Sequence, residues 1–298
     1  MKNYRILITG GAGWIGSEIA KNLYLDNDII VVDNLIHNSL QNLEPIISNI
    51  DFIKGDITDS KLMDSITKKV DFIFHEAALI DARESVLESK KYMYNNAYGT
   101  YNILIHARKN NVKRTIIASS AAVYGETENI SKETDPVIPI NPYGISKVYG
   151  EYYALCYGAK ILRYANVYGS LNSSGVIAKW INAVKNNESP IVFGTGEQIL
   201  NYVHVKDVVN ANITLMTNST LNDIFNVCDN TSYSLLEVLN IMKKYLNKEI
   251  TPFFTDPVEG DTKISQISNH LIKKELNWNP QITLEEGIQK LCKNNETI

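Results

Sequence analysis

The chain has 298 residues, of which 44% are hydrophobic and 21% are charged, as is usual for globular proteins. This length predicts two domains of roughly 150 residues each, with cores large enough to need no disulfide or metal. A formal net charge of −4 at pH 7 argues against a protein that binds nucleic acid or a membrane surface, because such proteins usually carry a basic face.

The first 165 residues alternate short β-rich runs with helical patterns. Several of these runs are continuously apolar, as strands covered on both faces should be. The predicted strands are Arg5–Thr9, Ile29–Asp33, Phe52–Lys54, Asp71–His75, Thr115–Ser119 and Lys160–Tyr164. Helices are predicted between the first two strands and over Glu88–Lys109 and Tyr143–Cys156. The alternation predicts an α/β fold with a Rossmann-type, doubly wound parallel sheet.

After Tyr164 the alternation of strands and helices is less regular. Loops that contain glycine and proline separate four predicted helices, at Val176–Asn186, Lys206–Met216, Leu235–Leu246 and Leu284–Lys293. We therefore expect a cofactor-binding domain at 1–165 and a smaller, mixed α/β, mainly substrate-binding domain at 166–298. A strand near Ile224–Val227 is expected to return to the first sheet.

The cysteines and the apolar segments indicate the compartment. Cys156, Cys228 and Cys292 are far apart, with no partner at the spacing of a zinc site or a redox motif. No apolar run approaches the roughly 18 residues of a membrane span, and the chain opens on a predicted strand rather than a signal segment. We expect reduced thiols, no metal site and a cytoplasmic protein that does not contact membranes.

A glycine-rich turn follows the first predicted strand. Residues 10–16 read GGAGWIG and lie between that strand and an amphipathic helix, the context of a dinucleotide-binding turn. Its glycines permit close approach to a pyrophosphate at the helix N-terminus. Asp33, at the end of the second strand, can accept hydrogen bonds from a ribose 2′-hydroxyl and would repel a 2′-phosphate. The cofactor is therefore predicted to be NAD rather than NADP.

Other residues at the same edge of the sheet have weaker signals. Asp56 follows the third strand and is as readily a turn residue as a ligand of the adenine amino group. Ala77 and Ala78 follow the fourth strand and leave room for a dinucleotide. His75, on that strand, is better interpreted as a structural histidine than as a catalytic one.

A Y-x-x-x-K motif, Tyr143 to Lys147, lies on a predicted helix, and this spacing puts both side chains on one face. Tyrosine has a pKa of about 10, so it needs help to act as a base at neutral pH. A lysine ammonium and the positive nicotinamide would stabilise the phenolate, which could then take a hydroxyl proton. Ser120, after the fifth strand, could hold the same reacting oxygen by a hydrogen bond.

Ten sequence blocks together resemble the extended short-chain dehydrogenases/reductases of the NAD-dependent epimerase/dehydratase group, and are most similar to UDP-glucose 4-epimerases. The blocks are GGAGWIG at 10–16, VVDNL at 31–35, GDITD at 55–59, HEAA at 75–78, NNAYGT at 95–100, SSAAVYG at 119–125, NPYGISK at 141–147, LRYANVYG at 162–169, FGTGEQ at 193–198 and LNWNP at 276–280.

The resemblance implies a set of roles. Tyr143 is the base, Lys147 lowers its pKa and binds the cofactor ribose, and Ser120 is their hydrogen-bonding partner. The expected cofactor site comprises Gly10, Gly13, Trp14, Ile15, Gly16, Asp33, Asn34, Asp56, Ile57, Ala77, Ala78, Asn96, Ser119, Tyr143, Lys147 and Tyr164. The expected sugar-nucleotide site comprises Ser120, Asn166, Gly175, Val176, Ile191 and Phe193.

The resemblance also implies a homodimer that packs two long helices from each subunit. Glu88–Lys109 and Tyr143–Cys156 are the candidate helices, with Tyr149, Tyr152 and Tyr153 as interface aromatics. A buried core helix would account for the same aromatic residues.

The sequence departs from its relatives in two places. Ala121 and Ala122 stand where related dehydratases and decarboxylases carry an acidic residue, which weighs against elimination of water. Leu200 and Val258 stand where many relatives bind the diphosphate with arginine. A lysine could compensate, and the candidates are Lys179, Lys206 and Lys263.

These observations predict an NAD-dependent nucleotide-sugar 4-epimerase that acts on a UDP-sugar. The missing arginines leave open a second enzyme, an NAD-dependent dehydrogenase or reductase of a sugar or small alcohol with net hydride transfer. A non-catalytic NAD-binding scaffold is a third alternative, which the intact Ser120, Tyr143 and Lys147 disfavour.

Overall fold

A computed structural model of the chain describes residues 1–171, 173, 175–258 and 260–293. The strands are β1 Arg5–Thr9, β2 Asp28–Asp33, β3 Asp51–Lys54, β4 Phe72–His75, β5 Arg114–Ser120, β6 Lys160–Tyr164, β7 Asn166–Tyr168, β8 Ile191–Phe193, β9 Ile199–His204, β10 Ile224–Val227, β11 Ser232–Ser234, β12 Phe253–Thr255 and β13 Ile264–Ser265. The helices are α1 Trp14–Leu23, α2 Ser60–Ile66, α3 Ala82–Leu87, α4 Ser89–Tyr92, α5 Gly99–Lys109, α6 Pro142–Tyr157, α7 Val176–Lys185, α8 Val205–Thr217, α9 Leu235–Leu246, α10 His270–Leu276 and α11 Leu284–Lys293.

Seven parallel strands form the main sheet, in the order β10-β6-β5-β4-β1-β2-β3. The predicted Rossmann-type fold is thus confirmed. β1 pairs with β2 on one side and with β4 on the other, so the order of the chain reverses at β1. In doubly wound sheets, ligands bind outside the carboxyl ends of the strands at this point.

The central strands are apolar because helices cover both faces of the sheet. Ile6 and Ile8 belong to one buried cluster and Leu7 to another, on opposite faces, and all three are fully buried. On α1, Ile19, Ala20 and Leu23 are buried against the first of these faces. This rigid frame fixes the loops at the carboxyl ends of β1 and β4.

Helix α6 has clear start and stop signals. Asn141 is its N-cap, with a side chain that accepts from the Gly144 amide, and Pro142 occupies the first turn. Gly158 ends the helix with a left-handed backbone, φ +73°. The predicted helix at Tyr143–Cys156 therefore forms with one extra residue at each end.

The predicted helix at Glu88–Lys109 is helical over nearly its whole length but is not a regular α-helix. A π-helical segment, Met93–Tyr98, separates α4 from α5. Asn96 lies in this segment, and its amide donates to the Leu79 carbonyl at 2.9 Å and to the Ser146 hydroxyl at 3.0 Å. The widened turn therefore ties the loop after β4 to α6.

The second half of the chain builds two smaller sheets. One contains β11, β9 and β13, with β7 also paired to β9, and the other pairs β12 with β8. Their helices α7, α9 and α11 share a separate buried cluster that includes Trp180, Tyr202, Met242 and Ile288.

Part of the second half returns to the first. β10 pairs in parallel with β6, so a strand forms where one was expected to return. Val208 and Leu215 of α8, and Trp278 after α10, are buried in the same cluster as Ile6 and Ile8. The core of the cofactor half thus includes residues from beyond position 165.

Candidate active site

A cavity of about 810 Å³ opens at the carboxyl ends of the central strands. It runs from the turn after β1, past the ends of β4, β5 and β6, to residues of β9 and β13 in the smaller sheet. This position and size suit a ligand cleft at the chain reversal of a doubly wound sheet.

The glycine turn forms one end of the cavity, and its backbone is too close to its neighbours for side chains. Gly10 has φ +66°, and a Cβ there would lie 2.6 Å from the Ala77 amide nitrogen. A Cβ at Gly16 would lie 2.6 Å from the Gly10 carbonyl oxygen. Gly13 begins α1 without a side-chain cap, which leaves the helix N-terminus open to an anion. These residues fit the pyrophosphate of a dinucleotide.

Asp33 lies beside this turn at the end of β2 and lines the cavity. Its carboxylate accepts from the Ala12 amide at 3.1 Å and from the Leu35 amide at 2.9 Å. The group is thus fixed in place where a ribose is expected. The backbone donors leave lone pairs for a ribose hydroxyl, since each carboxylate oxygen has two.

Most of the expected cofactor residues line the cavity and two do not. Those that line it are Gly10, Gly13, Trp14, Ile15, Gly16, Asp33, Asn34, Ile57, Ala77, Ala78, Ser119, Tyr143, Lys147 and Tyr164. Asp56 lies outside the lining and accepts from the Asn34 amide at 2.9 Å. Asn96 is buried in the π-helical segment. Their contacts give them positioning roles, Asp56 for Asn34 and Asn96 for the loop after β4.

Ser120, Tyr143 and Lys147 all line the cavity, as the motif predicts. The Lys147 ammonium donates to the Ala118 carbonyl at 2.8 Å and lies 5.9 Å from the centre of the Tyr143 ring. Ser120 accepts from the Ala122 amide through its hydroxyl at 3.2 Å. Strand β5 and helix α6 therefore bring a hydroxyl, a phenol and a cation to one place.

The electrostatics of this group oppose an unassisted phenolate. Burial raises the pKa of Tyr143, while a hydrogen bond with Ser120 opposes the rise. Burial also lowers the pKa of Lys147 to about 8, against the opposing effect of the Glu76 and Glu151 carboxylates. A further positive charge beside Tyr143, such as a nicotinamide, would favour its ionised form.

Glu76 is a cavity residue that sequence reasoning missed. Its carboxylate accepts from the Tyr164 hydroxyl at 3.0 Å, and that hydroxyl accepts from the Asn212 amide at 2.7 Å. Burial raises the pKa of Glu76 to about 7, opposed by the Tyr164 hydrogen bond and the Lys147 charge. The sequence signal that could have identified Glu76 is its position in the HEAA block, between a buried strand residue and two alanines that line the cavity.

Ser119 lines the cavity, but its hydroxyl donates to the buried Glu151 carboxylate. Arg163 holds the same carboxylate with two bonds, from Nε at 2.8 Å and from Nη2 at 2.6 Å. This network joins β5, α6 and β6 behind Ser120, Tyr143 and Lys147. Ser119 thus supports the wall of the cavity through its side chain.

His75 is a structural residue. Its ring contacts the Thr9 hydroxyl of β1 at 2.6 Å and the Thr100 hydroxyl of α5 at 2.9 Å, between the sheet and that helix. Burial and the Lys147 charge lower its pKa to about 3, so the imidazole is neutral at physiological pH. The interpretation of His75 as non-catalytic agrees with these contacts.

The other end of the cavity contains most of the expected substrate residues. Ser120, Asn166, Gly175 and Val176 line it, whereas Ile191 is 51% exposed and lies outside the lining. Phe193 also lies outside the lining, beneath a cavity-lining side chain, Arg83, whose guanidinium is 3.8 Å from the ring centre.

The two departures from the relatives' pattern have structural counterparts. Ala121 and Ala122 line the cavity directly after Ser120, so no acid or base comes from these positions. Leu200 lines the cavity as an apolar residue. The side chains of Lys179, Lys206 and Lys263 are exposed and lie outside the lining, so the expected compensation by a lysine is not what the structure has.

Within the described ranges, no group of three or more His, Cys, Asp or Glu side chains could hold a metal ion. No helix in the same part of the chain is both long and apolar enough to cross a membrane. All three cysteines are free thiols.

Comparisons with known proteins agree with this geometry. A family model, the NAD dependent epimerase/dehydratase family, matches residues 6–228. A Methanocaldococcus jannaschii protein provisionally named a UDP-glucose 4-epimerase is 38% identical over 96% of both chains. A dTDP-D-glucose 4,6-dehydratase of Mus musculus is 31% identical over 96% of this chain and 87% of its own. The crystal structure of Thermotoga maritima UDP-glucose 4-epimerase with UDP-glucose matches with a TM-score of 0.91 and 32% identity, over 97% of both chains.

Proposed function

Because the chain belongs to the NAD-dependent epimerase/dehydratase family of extended short-chain dehydrogenases/reductases, with NAD as its cofactor, we propose that it is a nucleotide-sugar 4-epimerase. UDP-sugars, such as the pair UDP-glucose and UDP-galactose, are the proposed substrates. Similarity to the Methanocaldococcus jannaschii and Thermotoga maritima proteins, at 38% and 32% identity, supports this choice.

One observation carries the proposal: Ser120, Tyr143 and Lys147 line a single cavity with the glycine turn. The glycine turn and Asp33 would hold NAD, which would supply a reversible hydride acceptor for C4 of the sugar. Tyr143 takes the proton of the C4 hydroxyl and gives it back, while Ser120 holds the oxygen by a hydrogen bond. Lys147 supplies a positive charge that favours the phenolate.

The alanines after Ser120 favour epimerisation over dehydration. Elimination of water needs an acid and a base in addition to the tyrosine, and Ala121 and Ala122 provide neither. Glu76 contributes a carboxyl group to the cavity wall, but Tyr164 donates to it and Lys147 is its charge partner. Simple redox epimerisation requires only the three residues that are present.

We also propose that the protein works as a homodimer through α5, α6 and the π-helical segment. Tyr152 and Tyr149 are 56% and 49% exposed on α6. Tyr94 and Tyr98 of the neighbouring segment stack with ring centres 5.1 Å apart and are exposed as well. Exposed aromatic residues gathered on two adjacent helices are typical of an interface.

The three free thiols support a reducing compartment such as the cytoplasm.

The decisive experiment is incubation of the purified protein with a panel of nucleotide-sugars, after its NAD content has been recorded. Chromatography should detect interconversion of at least one C4-epimeric pair with no net production of NADH. Failure to interconvert any pair would refute the epimerase proposal.

The dimer is tested separately. Light scattering of the same sample should give twice the chain mass, and a Tyr152→Arg variant should be monomeric.

The same panel separates the alternatives. Steady growth of absorbance at 340 nm with added NAD would identify a net dehydrogenase. A product lighter by one water, detected by mass spectrometry, would identify a dehydratase. A protein that retains NAD but converts no sugar, small alcohol or nucleotide-sugar would fit the scaffold.

A further inference from the structure

The substrate end of the cavity lacks an arginine at the two positions where the family resemblance leads us to expect one, Leu200 and Val258. A diphosphate needs charge-assisted hydrogen bonds to replace the water that it loses on binding. The exposed lysines outside the cavity do not provide them. The source of these bonds must therefore be sought among the residues that line the cavity.

Arg83, in the first turn of α3, is the arginine that lines it within the described part of the chain. Asp81 caps this helix and accepts from the Arg83 and Glu84 amides at 2.9 and 3.0 Å. The guanidinium donates to Asp261 with Nε at 2.9 Å and with Nη2 at 2.7 Å. Its planar group lies over the Phe193 ring, so three elements fix its orientation.

The guanidinium is tied to the segment that leads into β13, the strand that pairs with β9 at Leu200. Leu200 of β9 pairs with Ser265 of β13, and Asp261 precedes Ser265 by four residues. Leu200, Ser265, Asp261 and Arg83 all line the cavity. Arg83 thus reaches from the cofactor half of the chain to the wall where β9 and β13 meet.

We propose that Arg83 binds the diphosphate of the nucleotide-sugar, an inference that rests on the proposed function. Asp261 occupies the Nε and Nη2 edge of the guanidinium. Nη1 has no hydrogen-bond partner among the described residues, and it is the group that we expect to donate to a phosphate oxygen. Arginine suits this task because its donors are fixed in one plane, which Phe193 supports from one face. Lys147, the lysine in the cavity wall, is occupied at the catalytic end, where it donates to Ala118.

The test measures substrate kinetics and UDP affinity of the NAD-loaded full chain in three forms. Arg83→Gln removes the charge and the fork, and should raise KM for the sugar-nucleotide about 10- to 100-fold with kcat little changed, because binding is lost equally in ground and transition states. Arg83→Lys keeps the charge without the fork and should give a smaller rise. Lys2→Gln removes an exposed charge before β1, at the end of that strand away from the cavity, and as the control should leave both constants unchanged.

Two further measurements separate a phosphate contact from a structural role. UDP affinity of the native protein should fall more steeply with salt concentration than that of Arg83→Gln, whereas uridine, which has no phosphate, should bind both forms equally. Equal salt dependence, or an equal loss of uridine and UDP binding, would overturn the assignment of Arg83. An active native enzyme whose Arg83→Gln variant keeps its KM would refute this inference alone. A native protein that binds no UDP and converts no sugar-nucleotide would refute the proposed function as well.

Discussion

Glu151 and Arg163 form a buried ion pair that joins α6, the helix of Tyr143 and Lys147, to β6. Both side chains are only 3% exposed, and the Glu151 carboxylate accepts from Nε and Nη2 of the guanidinium. Ser119 adds a third donor to the same carboxylate. Three donor groups, two of them from one cation, therefore converge on this carboxylate.

Glu151→Gln preserves the shape of the side chain but turns one acceptor into an amide donor that faces the guanidinium. Loss of two charge-assisted hydrogen bonds, at about 1.5–3 kcal/mol each, predicts a fall of about 3–5 kcal/mol in the free energy of unfolding, the range for buried pairs that lose one partner. For a chain of this size, that corresponds to a fall of roughly 10 °C in Tm.

Urea and thermal unfolding of the NAD-loaded protein measure this loss. Asp26→Asn is the matched control, because Asp26 pairs with Lys2 at 3.3 Å where both side chains are mostly exposed, and it should cost less than about 1 kcal/mol. A Glu151→Met, Arg163→Met double variant should recover part of the loss, since neither charge is left unpaired. A loss below about 1 kcal/mol for Glu151→Gln, or a double variant less stable than Glu151→Gln, would refute the reasoning.

Three more substitutions test the site and its frame. Tyr143→Phe should lower kcat by about 10²- to 10⁴-fold at unchanged NAD content, and a variant with more than a tenth of the native kcat would exclude Tyr143 as the base. Glu76→Gln removes a carboxylate that raises the pKa of Lys147, so this pKa should fall below about 8 and the alkaline limb of the kcat–pH profile should move to lower pH; an unmoved limb contradicts the coupling. Gly10→Ala would place a Cβ 2.6 Å from the Ala77 nitrogen in a left-handed backbone, so the purified protein should lose most of its NAD and more than about 1 kcal/mol of stability. Full NAD content in that variant would show that the turn tolerates a side chain.

The cofactor end of the site was predictable because its signals are local. The glycine turn, Asp33 and the Tyr143–Lys147 spacing each lie within one strand–turn–helix unit, and the parallel sheet brings such units to one edge. Ala121 and Ala122 were informative for the same reason. The order of the strands was enough to place all of these residues at one edge of the sheet, but not to give the distances between them.

The substrate end was less predictable because its contacts join distant segments. Arg83 and Asp261 are 178 positions apart, and neither has a local pattern that indicates the other. The start of the short helix α3 has a weak sequence signal, since Asp81 followed three residues later by Glu84 resembles an N-cap. The π-helical segment had no sequence signal, because its widened turn depends on Asn96 reaching Leu79 and Ser146.

The return of β10 to the main sheet has a consequence for synthesis of the chain on the ribosome. Strand β6 remains an open edge until about sixty more residues have been made, and the face later covered by Trp278 waits longer still. Open parallel edges and bare apolar faces attract other chains. We therefore expect the nascent chain to need protection until nearly all of it has emerged, and then to fold in a single late step rather than half by half.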